Sequence, residues 1–396
     1  MGQITKRAYK LSDGRDLIYF DDADTALPPD RGPDLREPAV RPPTATMRQD
    51  VLTGEWISIA AARQNRVVLP PSHLDPLAPA SPDNPSEIPS PYDVAVFENK
   101  SPSFGPGLAG VAAQGGAARE GAAAPESPEA PTGLADLAWI GLGRSRQSVG
   151  RCEVVCFSPE HTGSLAGVSL SRMRTVVEAW ADRTAALSAL PGVEQVFPFE
   201  NRGEAIGVTL HHPHGQIYAY PYVTPRTAQL IRTIGTYGGT LFEDILDFEQ
   251  KSERVLLRGE HWTAFVPFAA RWPLEVHILP HRHVPDLAAT TDEERDEFSR
   301  LYGQLLRGVD ALYSTPTPYI SAWHQAPVNA HRDDVRLMLQ LTSPRREENK
   351  LKYLAGSEAA MGAFIADIPP ETAAARLRAA IPASTGGHFS AGSPPS

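Results

Sequence analysis

The residues best suited to chemistry are the run His212-Pro213-His214-Gly215-Gln216, set in the strand-like stretch VTLHHPHGQIYAYP. Side chains alternate along a strand, so 212, 214 and 216 are expected to share one face while the cyclic and small residues 213 and 215 take the other. Two imidazoles and an amide would then line one wall. A proline inside such a run predicts an edge strand or an interrupted ladder, and the glycine suits a backbone that approaches a ligand closely. A neutral imidazole is a good nucleophile near pH 7, and its attack on an α-phosphorus gives a phosphoramidate that readily passes its nucleotide onward. One difficult exchange becomes two easier steps. Transition states of this type need positioning and charge stabilisation, so Gln216, Asn201 and nearby backbone N–H groups are expected to hold the nonbridging oxygens. The plainer alternative, a surface strand with incidental histidines, suits a lone histidine better than two histidines and a glutamine in this frame.

Such a wall needs a scaffold, and from Arg151 onward one order of elements occurs twice. CEVVCFSPEH reads as a strand ending in a histidine, LSRMRTVVEAWADRTAALSAL as an amphipathic helix, and VEQVFPFENRG and VTLHHPHGQIYAYP as strands. LEVHILPHRHVPDL, TDEERDEFSRLYGQLLRGVDALY, PYISAWHQAPVN and VRLMLQLTSP repeat strand, helix, strand, strand. The repetition predicts an internally duplicated α+β fold of antiparallel sheet and packed helices. A first half over residues 47–225 would carry the nucleophile, and a second would span 226–380. Residues 1–46 are acidic and proline-dotted and are expected to be a poorly ordered extension. Residues 105–135 are rich in Gly, Ala and Pro and read as a flexible insertion, and 381–396 as a disordered tail. Within the second half, KLKYLAGSEAAMGAFIAD and PETAAARLRAAI look helical.

Composition narrows the function classes. A formal net charge of -10 over 396 residues supplies no basic surplus for a phosphate backbone, so nucleic acid is not an expected partner. No stretch reaches 18 consecutive apolar residues and the N-terminus shows no cleavable leader, so a cytoplasmic protein without a membrane partner is expected. The two cysteines, Cys152 and Cys156, lie in one strand-like run and read as small core residues.

The His-Pro-His-Gly-Gln string resembles the signature of the galactose-1-phosphate uridylyltransferases, a branch of the histidine-triad superfamily. The resemblance runs from about Met47 to about Ala380 and includes Glu200-Asn201-Arg202-Gly203, Trp323-His324 and Lys352 to Glu358. It implies that His214 is the nucleophile and that the carbonyl of His212 holds its other ring nitrogen. It further implies a ping-pong exchange of UMP between UDP-glucose and galactose 1-phosphate. Superfamily hydrolases usually carry a third histidine where this chain has Gln216, and an amide offers no proton to a leaving group. That difference favours transfer between sugar phosphates, which leave and attack as anions. By the same resemblance Arg63 and Arg66 lie near the phosphates, Phe97 and Asn99 contact uracil, and Lys352, Tyr353 and Glu358 contact the hexose. Lys100 stands where the family usually has aspartate. A homodimer is implied, because family active sites borrow residues across subunits.

The resemblance also implies metals. A structural zinc in the family uses a Cys-x-x-Cys pair and two histidines; this chain has Asp75 and Ala78 at the cysteine positions and keeps His161 and His212. Without thiolates, Asp75, His161 and His212 are expected to bind zinc weakly at most, and no cofactor is expected to be required. A second metal position keeps His324 but has Met338 and Gln340 in place of histidines. His277, His281 and His283 are left unassigned. Two rival readings stay open: a phosphorylase of the same branch, told apart by its preference for ADP-glucose, and a silent sugar-nucleotide-binding protein, told apart by its release of no glucose 1-phosphate.

Overall fold

Short β-branched and aromatic runs bounded by proline, glycine and aspartate become strands, as a computed structural model describing residues 3–38, 40–65, 68–106, 138–140, 142–383 and 389 shows. In chain order the strands are β1 (Thr5–Lys10), β2 (Asp16–Asp21), β3 (Thr46–Gln49), β4 (Trp56–Ile59), β5 (Val94–Glu98), β6 (Ala138–Ile140), β7 (Gly143–Gln147), β8 (Arg151–Cys156), β9 (Gln195–Arg202) and β10 (His214–Tyr220). They continue as β11 (Val255–Arg258), β12 (Trp262–Phe265), β13 (Leu274–Pro280), β14 (Tyr319–His324), β15 (Met338–Ser343), β16 (Arg345–Glu347) and β17 (Lys350–Leu351). The helices are α1 (Leu170–Ser188), α2 (Pro225–Tyr237), α3 (Leu241–Gln250), α4 (Asp292–Asp310), α5 (Gly356–Met361) and α6 (Pro370–Ala380).

Eleven strands form one antiparallel sheet in the order β1-β2-β5-β8-β10-β9-β14-β15-β13-β12-β11. Reading outward from the β9–β14 seam, β10, β8, β5 and β2 on one side answer β15, β13, β12 and β11 on the other. This is the duplication expected from the repeated element order, and it reaches further than expected, since β2 and β5 have counterparts in β11 and β12. The fold is α+β, with α1 and α4 packed on each other and on one face of the sheet. Each helix starts where its residues dictate. The Ser169 hydroxyl accepts the Arg172 N–H at 3.1 Å, and Thr291 with Glu294 forms a reciprocal capping box. The buried stripe below them is one core shared by both halves, with Trp323 of β14 touching Trp180 of α1, Trp262 of β12 and Phe298 of α4.

Several expectations are corrected. Residues 1–46 contain two sheet strands: Leu17, Ile18, Tyr19 and Phe20 are all buried. The acidic groups around them are neutralised by arginines, Asp21 by Arg7 and Arg31 and Asp22 by Arg172. At the start of the expected insertion, Gly105 is tied to Ser148 and Val149, and residues 107–135 lie outside the described residues. At the tail, Gln304 Nε2 donates to the Pro382 carbonyl at 2.9 Å, and 384–388 and 390–396 lie outside the described residues. The helix expected over 350–367 shrinks to α5, because Lys350 and Leu351 pair with the preceding strand and Gly362 turns left-handed at φ 65°. Among the described residues no helix is long and apolar enough to cross a membrane.

Candidate active site

Strand β10 places the signature at the middle of the first half, between β8 and β9. It begins at His214, so Pro213 precedes the strand and neither lies at an edge nor breaks a ladder; its carbonyl accepts the Phe157 N–H at 3.1 Å. Burial alternates along β10, with His214, Gln216, Tyr218 and Tyr220 half-buried on one face and Gly215, Ile217 and Ala219 buried on the other. Only glycine fits at 215, where a Cβ would stand 2.8 Å from Phe157 Cζ and 2.9 Å from the Phe199 carbonyl oxygen. His212 borders the cleft beside His214, but its side chain is fully buried. Its carbonyl lies 2.7 Å from His214 Nδ1. A carbonyl only accepts, so His214 holds a proton on Nδ1, and in the neutral ring the lone pair is then on Nε2, as a nucleophilic imidazole requires.

A cleft opens beside His214, lined by Asn201 and Glu200 of β9, by Gly203 and Glu204 after it, and by Gly163 and Ser164 of the connection between β8 and α1. The structure thus brings Asn201 and His214 together as expected. Gly163 and Ser164 were not singled out in the sequence; the signal available was a small, polar Thr-Gly-Ser segment between a strand and a helix cap. The Tyr218 hydroxyl donates to Gln216 Oε1 at 3.3 Å, which leaves the Gln216 amide N–H groups as its remaining donors. Burial pushes the Glu200 carboxyl up to about 7, against the lowering effects of the Tyr319 hydrogen bond and the Arg202 charge. Arg202 itself is held bidentately by Asp310 of α4, at 2.5 and 3.1 Å.

Below the signature, Asp75, His161 and His212 converge, as the resemblance implied, with one ligand atom from each within 4.8 Å of the others. Asp75 Oδ2 accepts from His212 Nδ1 at 2.7 Å and from His161 Nδ1 at 2.8 Å, while Oδ1 accepts the Leu77 N–H at 2.9 Å. Burial opposes ionisation of Asp75, but the His212 bond and charge and the other donors outweigh it and hold its pKa down at about 2. The far side of His212 is also engaged: Nε2 lies 2.7 Å from the Ser158 carbonyl and 2.9 Å from the Tyr92 hydroxyl. Donors on a common tetrahedral zinc at about 2.0–2.2 Å stand roughly 3.3 Å or more apart. Separations of 2.7 and 2.8 Å are those of shared protons. Ala78 supplies no fourth donor. As arranged, the group is a hydrogen-bonded cluster and does not fit a closed zinc site.

The remaining predicted residues divide. Phe97 is a correction: it is buried in a core with Leu17, Tyr19 and Val154, so its ring is not a platform for a base. Asn99 is half-exposed, its Oδ1 accepting the Ser101 N–H at 2.9 Å. Arg63 reaches the Ser101 carbonyl at 3.4 Å, so both side chains contact Ser101, whereas Arg66 lies outside the described residues. Lys352 and Glu358 form a nearly buried ion pair at 2.9 Å beside a Tyr353 that is 73% exposed. This segment does not line the His214 cleft. In the second half, His324 Nε2 meets Gln340 Oε1 at 3.1 Å, and Gln340 Nε2 meets Glu275 Oε1 at 2.5 Å. An amide therefore bridges that position. His277, His281 and His283 are bonded to Glu275, to Glu260 with Thr263, and to Arg332, so they are not simply solvated.

Comparison with known proteins places the chain in a family. The family described as galactose-1-phosphate uridyl transferase matches through its N-terminal domain at residues 139–224 and its C-terminal domain at 227–391. A galactose-1-phosphate uridylyltransferase of Streptomyces lividans is 41% identical over 397 residues, covering 95% of this chain and 98% of its own. One of Thermotoga maritima is 34% identical, covering 84% of this chain and 97% of its own. A solved uridylyltransferase structure superposes with a TM-score of 0.70 at 28% identity, covering 85% of this chain and 98% of that one. The chain therefore belongs to the galactose-1-phosphate uridylyltransferase family.

Proposed function

We propose that this protein transfers UMP between UDP-glucose and galactose 1-phosphate through a uridylyl group carried on His214. In the first step His214 Nε2 attacks the α-phosphorus of UDP-glucose, an N–P bond forms, and the P–O bond to glucose 1-phosphate breaks. Glucose 1-phosphate leaves as an anion. In the second step a phosphate oxygen of galactose 1-phosphate attacks the same phosphorus, the N–P bond breaks, and UDP-galactose leaves. The observation that carries the reading is the 2.7 Å bond from His214 Nδ1 to the His212 carbonyl, which sets the tautomer that the attack requires. Asn201 and Gln216 add donors for the nonbridging oxygens, and Arg63 a cation for the phosphates. Asn99 and Arg66 remain assigned to uridine and phosphate.

The reading includes a homodimer in the cytoplasm. Tyr353, Leu354, Met361 and Ile365 expose apolar surface around the Lys352–Glu358 pair, more than one short segment usually shows. A hexose-contacting role for Lys352, Tyr353 and Glu358 is supported if they reach the His214 cleft of a second copy. Light scattering of the purified chain measures that stoichiometry, and a monomer that turns over normally would remove it.

Mixing the protein with UDP-glucose alone tests the core of the proposal. Intact-mass analysis is expected to show one added uridylate, labile to acid and stable to base, on the wild type and none on His214→Ala. An adduct that persists in the variant would sink the assignment. ADP-glucose run in parallel is expected to label poorly.

A further inference from the structure

We infer that Asp75 is a positioning residue for the nucleophile, holding His212, and through its carbonyl His214, by shared protons where a metal ion could otherwise stand. The inference rests on His214 being the nucleophile. The chain of contacts is short. Asp75 Oδ2 accepts from His212 Nδ1 at 2.7 Å, and the His212 carbonyl accepts from His214 Nδ1 at 2.7 Å. Two hydrogen bonds and one residue's backbone therefore separate the carboxylate from the reacting imidazole.

Each link is fixed from more than one side. Asp75 is anchored by the Leu77 N–H at 2.9 Å on Oδ1 and by Asn84 Nδ2 at 2.8 Å on its own carbonyl. His212 has its ring held on both edges, Nδ1 against the Asp75 carboxylate at 2.7 Å and Nε2 against the Ser158 carbonyl at 2.7 Å. Tyr92 closes the far side, its hydroxyl within 2.8 Å of the Leu77 carbonyl and 2.9 Å of both the Ser158 carbonyl and His212 Nε2. Asp75, Tyr92 and His212 are each about 1% exposed, so water does not replace a lost contact cheaply. His161, bonded to the same oxygen at 2.8 Å, links this cluster to the chain after β8 that borders the cleft.

Asp75 does not line the cleft, so its effect should fall on the rate of the step and not on substrate capture. Asn in its place keeps the shape but loses the charge and one acceptor, leaving His212 without a fixed anion and its carbonyl less firmly aimed. The test measures, by quench and intact-mass analysis on the full chain, the rate at which UDP-glucose labels His214. Zinc content by elemental analysis and labelling after chelator treatment are measured on the same preparations. The expected result is a zinc-poor wild type whose labelling survives chelation. Asp75→Asn should label roughly 10- to 100-fold more slowly, with KM for UDP-glucose changed by less than about threefold and circular dichroism unchanged. Asp75→Glu, which restores a carboxylate, should recover part of the rate. If Asp75→Asn does not fold, Tyr92→Phe tests the same linkage and is expected to slow labelling with KM preserved. Wild-type labelling rates in the folded variants, or stoichiometric zinc whose removal stops labelling, would overturn the inference. A wild type that never forms the adduct would refute the nucleophile itself and is thereby distinguishable.

Discussion

At the scale of single residues, the proposed transfer makes position 216 the one that governs which acceptor takes the nucleotide from His214. The Tyr218 hydroxyl at 3.3 Å holds the oxygen end of Gln216, which leaves an amide that donates hydrogen bonds but no proton. An imidazole there could take a proton from water, so Gln216→His is expected to raise hydrolysis of UDP-glucose relative to transfer. Glucose 1-phosphate release measured with and without galactose 1-phosphate checks this, and an unchanged ratio would remove the account of position 216. Gly215 next to it is set by packing. A methyl group there meets the Phe199 carbonyl at 2.9 Å, an atom of the β9 backbone that cannot swing aside. Gly215→Ala is expected to cost about 1–3 kcal/mol in thermal or denaturant unfolding and to slow labelling by shifting the His214 main chain. The His214 arrangement was legible in the sequence because its hydrogen bond is local, from residue 214 to residue 212, and the nucleophilic role proposed for His214 draws on that bond. Asp75 was legible only through the resemblance, since its partner His212 lies 137 residues away. Phe97 was misread because its burial is decided by Leu17 on β2, a strand the local composition concealed.

At the scale of elements, the same contrast holds between helices and the first strands. Helices α1 and α4 announce themselves through apolar periodicity and through caps within three residues of their starts. Strands β1 and β2 sit among acidic residues and prolines, and the partners that make those charges acceptable are remote. Arg172 of α1 binds Asp22 at 2.9 Å and Asp93 at 2.6 Å, across 150 and 79 residues. Their structural weight follows from burial. Leu17, Ile18, Tyr19 and Phe20 are each no more than 6% exposed, and such side chains contribute roughly 1.5–3 kcal/mol apiece. Four of them approach the ~5–15 kcal/mol net stability of a whole domain. Deleting residues 1–22 also bares the edge of β5, so the truncated chain is expected to aggregate or to lose its cooperative unfolding transition. Soluble, active protein from that truncation would show that the two strands are dispensable.

At the scale of the whole molecule, the two halves meet at the β9–β14 seam, where Glu200 pairs in register with Ser321 and accepts the Tyr319 hydroxyl at 3.0 Å. The seam holds two groups, the buried Glu200 and the half-buried His324, whose charged forms the fold disfavours. Burial raises Glu200 from 4.5 to about 7, and burial with the nearby Arg226 and His277 charges lowers His324 from 6.5 to about 3. Their signs oppose each other. Between pH 4.5 and 7 the folded protein holds a proton on Glu200 that the unfolded chain has lost, so stability falls as pH rises through that window. Between pH 3 and 6.5 the unfolded chain binds a proton on His324 that the folded protein refuses, so stability falls as pH drops. The two slopes offset each other between 4.5 and 6.5, and Glu200 acts alone from there to 7. Replacing the carboxyl with its neutral isostere separates them. Glu200→Gln keeps an oxygen for Tyr319 and carries no charge to bury. Relative to wild type it is therefore expected to gain stability progressively from pH 4.5 to 7, by up to a few kcal/mol at about 1.4 kcal/mol per pKa unit, and to show no further gain above. Denaturant unfolding of both proteins at pH 4.5, 6 and 8 measures the difference. A difference that stays constant over that range would mean that Glu200 is ionised in the folded protein across it, with the seam supplying more counter-charge than the partial one from Arg202, which is engaged by Asp310.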